Sequence, residues 1–123
     1  MRILHAEDDE FIRELVNLSL VEIGGFELLQ CSDGPSAIAA VEVYDPDLLL
    51  LDYNMPGMTG AEALLKIRRK AGFETTPSIF LTALDDDGMK NCLLKLGALK
   101  VIPKPVDFME LPSLIEKALL RKN

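Results

Sequence analysis

Four consecutive leucines, Leu48–Leu51, run straight into Asp52 and then into the turn-forming stretch Tyr53-Asn54-Met55-Pro56-Gly57. Side chains on a strand alternate between its two faces, so an unbroken apolar run is apolar on both. Such a strand belongs inside a parallel sheet that is covered above and below. The run therefore demands two helical layers around it. It also carries a carboxylate to the tip of the most apolar segment of the chain.

The flanking sequence supplies those layers. Arg2–Ala6, Phe26–Cys31, Ser78–Thr82 and Leu99–Ile102 read as further strands. Asp9–Ile23 carries Ile12, Leu15, Val16, Leu20 and Ile23 at helical spacing and stops at Gly24-Gly25. Pro35 suits the first turn of a helix that reaches about Tyr44, where Asp45-Pro46-Asp47 breaks it. Three more helices are predicted: from about Gly60 to Ala71, over Asp85–Leu96 up to Gly97, and over Asp107–Arg121. The last presents Leu111, Leu114, Ile115, Ala118 and Leu119 on one face. Strand and helix alternate five times with no linker or repeat. This predicts a single α/β domain over residues 1–123, a parallel sheet sandwiched between helices. Ligands bind such sheets at the carboxyl ends of the strands.

Composition narrows the chemistry. A formal net charge of −7, with lysines and arginines scattered or paired with acids, argues against direct contact with nucleic acid. No apolar run approaches the ~20 residues of a membrane span. Met1-Arg2-Ile3-Leu4 leads into a charged stretch, unlike a signal peptide. A cytoplasmic protein without membrane contact is expected. Cys31 and Cys92 stand far apart, outside any C-x-x-C spacing. They read as two reduced, mostly buried thiols and not as zinc ligands. His5, the only histidine, reads as a core residue within its strand. A hard cation held by carboxylates fits this composition better than a transition metal.

The polar residues that close the apolar runs are Glu7, Asp8 and Asp9 after the first strand, Asp52 after the third, Thr82 in the fourth and Lys104 after the fifth. In a parallel sheet all of them rise at one edge. Clustered carboxylates need a cation, and Lys104 supplies one positive charge. Mg2+ takes one or two carboxylates, keeps waters and is completed by phosphate oxygens. Asp52 at its strand tip can act as a nucleophile toward phosphorus. Lys104 and a divalent ion would neutralise equatorial oxygens, and Thr82 would donate a hydrogen bond to one of them. Asp9 and Glu10, and the run Asp85-Asp86-Asp87, read as acids at helix starts.

"ILHAEDDEFIREL", "LLLLDYNMPGMTG", "IFLTALDDDG" and "GALKVIPKP" stand in this order across nearly the whole chain. In order and spacing they resemble the response-regulator receiver domain of two-component signalling. The resemblance implies a flavodoxin-like, doubly wound (βα)5 fold, its five-stranded parallel sheet in order 2-1-3-4-5 with helices on both faces. It implies Asp52 as phosphoacceptor, with Thr82 as switch hydroxyl and Lys104 as phosphate-binding ammonium. Mg2+, with Mn2+ as an alternative, would be held by Asp8, Asp52 and the backbone carbonyl of Asn54, and by Glu7 through water. The Lys104-Pro105 bond is expected to be cis. Members of the family take their phosphoryl group from a sensor histidine kinase or a histidine phosphotransfer protein. They also phosphorylate themselves from small donors and hydrolyse the product slowly, so a switch is expected in place of an enzyme. Three departures stand out: Glu7 in place of the first aspartate, Val101 where Tyr or Phe is usual, and Val106 after Lys-Pro where Phe is common.

The face made by the fourth helix, the fifth strand and the last helix is expected to carry the signal to a downstream protein or a second copy. Two other readings stay open. One is a receiver-shaped interaction module that is never phosphorylated. The other, an aspartate-nucleophile phosphohydrolase, usually carries a second acid two residues past its nucleophile, where this chain has Asn54. A flavodoxin-like nucleotide binder would need a glycine-rich loop where Glu7-Asp8-Asp9 stand. Whether the chain stands alone or belongs to a longer protein is open.

Overall fold

The structure is a computed structural model that describes residues 1–83 and 86–121. Five strands and five helices alternate along the chain: β1 (Arg2–Ala6), α1 (Glu10–Asn17, continuing as a π-helical segment Leu18–Ile23), β2 (Glu27–Cys31), α2 (Gly34–Tyr44), β3 (Leu48–Leu51), α3 (Gly60–Arg68), β4 (Ser78–Thr82), α4 (Asp87–Lys95), β5 (Lys100–Pro103) and α5 (Leu111–Leu120). The strands form one parallel sheet in the order β2-β1-β3-β4-β5. No helix among the described residues is long and apolar enough to cross a membrane.

The leucine strand behaves as its pattern demands. Leu49 and Leu51 enter a core with Ala37 and Val41 of α2, Leu64 and Ile67 of α3 and Leu93 of α4. Leu48 and Leu50 enter a second core with Val16 and Leu20 of the first helix and Leu111 and Ile115 of α5. All four leucines are fully buried. Burial of each contributes roughly 2 kcal/mol, so β3 is a stiff central post.

Several boundaries differ from the sequence-based expectation. The first helix widens after Asn17, where the Gly24 amide donates to the Ser19 carbonyl at 2.9 Å, five residues back. The wider winding rotates Ile23 off the buried stripe, and it is exposed. Arg68 ends α3 ahead of Ala71 by donating to the carbonyls of Phe73 and Thr76. The fourth helix begins at Asp87 with Asp86 as its cap, and Asp85, its expected first residue, lies outside the described residues. The last helix starts at Leu111, not Asp107. Pro112 explains this: without an N–H it fits the first turn and would break an interior one. Asp107 instead closes a turn, taking the Met109 amide on its carboxylate and the Glu110 amide on its carbonyl. Cys31 is buried, but Cys92 is exposed on α4, because that helix turns only Leu93 fully inward.

Candidate functional site

The backbone sets the site first. The parallel ladder runs one residue past three strands. The Glu7 amide donates to the Cys31 carbonyl at 3.0 Å, Asp52 to Ala6 at 3.0 Å and Lys104 to Thr82 at 2.9 Å. Each residue is thus locked to the neighbouring strand as its side chain leaves the sheet edge. The Lys104-Pro105 peptide is cis. Beyond Asp52, Pro56-Gly57 turns the loop, and Gly57 takes the positive φ of 80° that such a turn requires. The loop returns as the Gly60 amide donates to the Tyr53 carbonyl at 2.8 Å.

Carboxylate oxygens of Glu7, Asp8 and Asp52 lie within 4.8 Å of one another. Glu7 and Asp52 are buried, Asp8 is exposed, and the Asp52 side chain keeps 7% of its surface open. Lys104 reaches this group from β5, its Nζ 2.5 Å from Glu7 Oε1 and 3.4 Å from Asp52 Oδ2. Burial pushes the Glu7 carboxyl up to about 7, and Asp52 adds to this against the opposing pull of Lys104. Burial also works against the Lys104 charge, yet Glu7 and Asp52 hold its pKa above the ordinary lysine value. Thr82 is fully buried at the end of β4, and its Oγ1 has no hydrogen-bond partner among the described residues. Asn54 is exposed in the loop two residues past Asp52. Asp9 serves as N-cap of α1, taking the amides of Phe11 and Ile12.

The surroundings hold residues that the sequence did not single out. Arg13 Nη1 donates to the Glu7 carbonyl at 2.8 Å, steadying the turn out of β1. Gln30 donates to the Arg13 carbonyl at 2.8 Å, which orients its amide so that the second N–H meets His5 Nδ1 at 3.0 Å. That leaves the His5 proton on Nε2. Burial first, then Lys104 and Arg13, lower the His5 pKa to about 3, which keeps it neutral; it is the core residue expected from its place in β1. Gly60 is required by close approach: a Cβ there would lie 2.1 Å from the Asp52 carbonyl oxygen. A glycine directly after the Thr59 cap was its only sequence signal. Away from the site, Lys100, Lys117 and Arg121 gather with Leu99, Leu114 and Ala118 around one groove beside β5 and α5, a basic cluster that linear spacing concealed.

Val101 is buried in β5, and Val106 is half-buried beyond Lys104. Chemically, the pocket combines hard oxygen donors, the Lys104 ammonium and a Thr82 hydroxyl without a partner among the described residues around a carboxylate. Such a set suits an anionic group that carries a hard cation with it.

Comparison with known proteins gives a consistent result. The family model for the response regulator receiver domain matches residues 3–116. The transcriptional activator protein IrlR of Burkholderia pseudomallei is 36% identical over 121 residues, which cover 98% of this chain and 51% of that protein. The phosphate regulon transcriptional regulatory protein PhoB of Pseudomonas aeruginosa is 35% identical over 121 residues, 98% of this chain and 52% of its own length. The chain thus spans about half the length of these curated relatives. Among solved structures, the chemotaxis protein CheY4 of Vibrio cholerae superposes with a TM-score of 0.85 at 29% identity, covering 99% of this chain and 98% of that one. From the matched family, the shared fold and the strand order, the chain belongs to the response regulator receiver domains, the phosphoryl-accepting switches of two-component signalling.

Proposed function

We propose that residues 1–123 form one receiver domain in which Asp52 accepts a phosphoryl group from a sensor histidine kinase or a histidine phosphotransfer protein. One observation carries the assignment of roles. Three carboxylates converge within 4.8 Å, and the Lys104 ammonium stands 3.4 Å from Asp52. Ionising Glu7, Asp8 and Asp52 together beside the Lys104 ammonium leaves an excess of negative charge in a largely buried pocket, which a divalent cation would remove. The oxygen donors suit Mg2+, with Mn2+ as the alternative. Asp8, Asp52 and the backbone carbonyl of Asn54 would hold it, with Glu7 reaching it through water. When bound, the cation would supply charge neutralisation at phosphoryl oxygens.

The chain's own groups do the rest. An Asp52 carboxylate oxygen bonds to phosphorus as the bond from phosphorus to the donor imidazole nitrogen breaks. The nitrogen keeps the electron pair and takes a proton from solvent. Lys104 neutralises a phosphoryl oxygen. Thr82 donates its hydroxyl, which has no partner among the described residues, to another, ending an unsatisfied state that costs about 1–3 kcal/mol. Asn54 carries no exchangeable proton of suitable acidity, so the product is held and not turned over rapidly. The protein is therefore a switch with slow self-phosphorylation and self-dephosphorylation. It works in the cytoplasm, where Cys31 and Cys92 stay reduced.

The output face in this reading is α4–β5–α5, for a downstream protein or a second copy and not for nucleic acid or membrane. Leu94 and Leu96 are partly exposed there. Incubation with a small phosphodonor and Mg2+, followed by intact-mass analysis, tests the chemistry. One added phosphoryl group on the wild type and none on Asp52→Ala is expected, and an equal gain on both would overturn the assignment. Charge reversal at Lys90, Lys95 and Lys100 that left all partner binding intact would remove α4–β5–α5 as the output face.

A further inference from the structure

Lys104 follows β5 and Glu7 follows β1, and the sheet order puts β3 and β4 between them. The contact therefore spans three strand spacings, ~14 Å. Asp52, after β3, is one strand nearer. Yet the ammonium sits 2.5 Å from Glu7 and 3.4 Å from Asp52. The two partners of the closer pair keep only 16% and 1% of their side-chain surface, so water competes little for either. Glu7 Oε2 is engaged as well, accepting from the Asp9 amide at 3.2 Å. Reach explains the preference. Glutamate is longer than aspartate by one C–C bond, about 1.5 Å, and an aspartate here would withdraw its oxygen by more than the difference between the two contacts.

We propose that Glu7 is a positioning residue whose length holds Lys104 off Asp52, and that Lys104 and a divalent cation compete for its carboxylate. Glu7 releases the lysine toward the phosphoryl acceptor when its charge is drawn to the cation. The competition rests on the cation reading given above, whereas the positioning does not.

Magnesium titration calorimetry on purified chain tests the competition. Removing the ammonium with Lys104→Met is expected to tighten Mg2+ binding about tenfold while Glu7 is present, and by less than about twofold in the Glu7→Gln background, where a side chain of the same length carries no charge to compete for. Lys104→Gln repeats the measurement with a polar group left in the pocket. Equal tightening in both backgrounds would mean that Lys104 merely repels the ion through space, and would overturn the competition. A second arm needs no metal. In EDTA, urea-unfolding double-mutant cycles are expected to give a larger coupling for Glu7 with Lys104 than for Asp52 with Lys104. The reverse order would overturn the positioning. A coupling of Asp52 with Lys104 in EDTA that does not rise when Glu7 is shortened to aspartate would overturn the role of side-chain length. A wild type that binds no Mg2+ overturns the cation reading and the competition, while the EDTA cycles still decide the positioning.

Discussion

Helices α3 and α4 are each nine residues long and pack on the same face of the sheet, but they are held in place differently. α3 opens with a full capping box, the Thr59 hydroxyl taking the Glu62 amide and the Glu62 carboxylate taking the Thr59 amide. It buries Gly60, Ala63, Leu64 and Ile67. Among the described residues α4 has a single side-chain cap contact at its start, the Gly88 amide donating to Asp86 Oδ1, and it buries only Leu93. Its sequence, with Gly88, Asn91 and Cys92, also favours helix less. The first helix clamps the loop that carries Asp52. The second follows the strand that ends in Thr82. In the function proposed above, α3 would be the wall that keeps the Asp52 loop still and α4 the wall whose displacement costs less, since it buries less and is capped by fewer contacts.

Glycine-to-alanine substitution should separate them most. At Gly60 the new Cβ would meet the Asp52 carbonyl oxygen at 2.1 Å. Gly60→Ala is expected to cost about 3 kcal/mol or more in urea unfolding and to abolish phosphoryl uptake by moving Asp52. At Gly88 the nearest atom would be Asp86 Oδ1 at 3.1 Å, the tip of a side chain that can shift slightly. Gly88→Ala is expected to be neutral or to stabilise by up to about 1 kcal/mol, the helix-propensity gain. Effects of the same sign and size at both sites would break the contrast.

Core truncation comes next. Ile67→Ala should lower the unfolding free energy by about 3 kcal/mol. Leu93→Ala should cost about 2 kcal/mol, because the loss cannot exceed the free energy of releasing α4 locally. Hydrogen exchange should then show the α4 amides of Leu93→Ala opening while those of α3 stay protected. Uniform opening of both helices would mean that α4 is no looser than α3.

The caps should give the smallest difference. Thr59→Ala removes the hydroxyl that accepts the Glu62 amide, one half of the capping box, and should cost about 1 kcal/mol. Asp86→Ala removes one exposed contact and should cost about 0.5 kcal/mol. Thermal melts of the two variants side by side measure this. A larger loss at Asp86 would show that α4 depends on its cap because it has so little buried surface.

Much of the architecture could be read along the chain. The span of β3 followed from Leu48–Leu51 alone, and the edge position of Glu7, Asp8, Asp52, Thr82 and Lys104 followed from where the apolar runs stop. Periodicity says that a segment is helical, but it does not report the ring size of its hydrogen bonds, and so the widening at Leu18–Ile23 stayed hidden. The start of α5 was available in principle, since Pro112 belongs in a first turn.

Chain order and residue type thus determined the fold class, the strand tips and the chemical kinds gathered at the site, because burial pattern and turn chemistry act over a few neighbouring residues. The tertiary structure decided partners. Ser19 donates its hydroxyl to the Phe108 carbonyl, 89 residues away. Lys104 settles closest to Glu7, 97 residues distant, although Asp52 lies nearer in the sheet. Such choices turn on differences of about an ångström between side chains from separate strands, set by strand order and side-chain reach, and no local pattern encodes them.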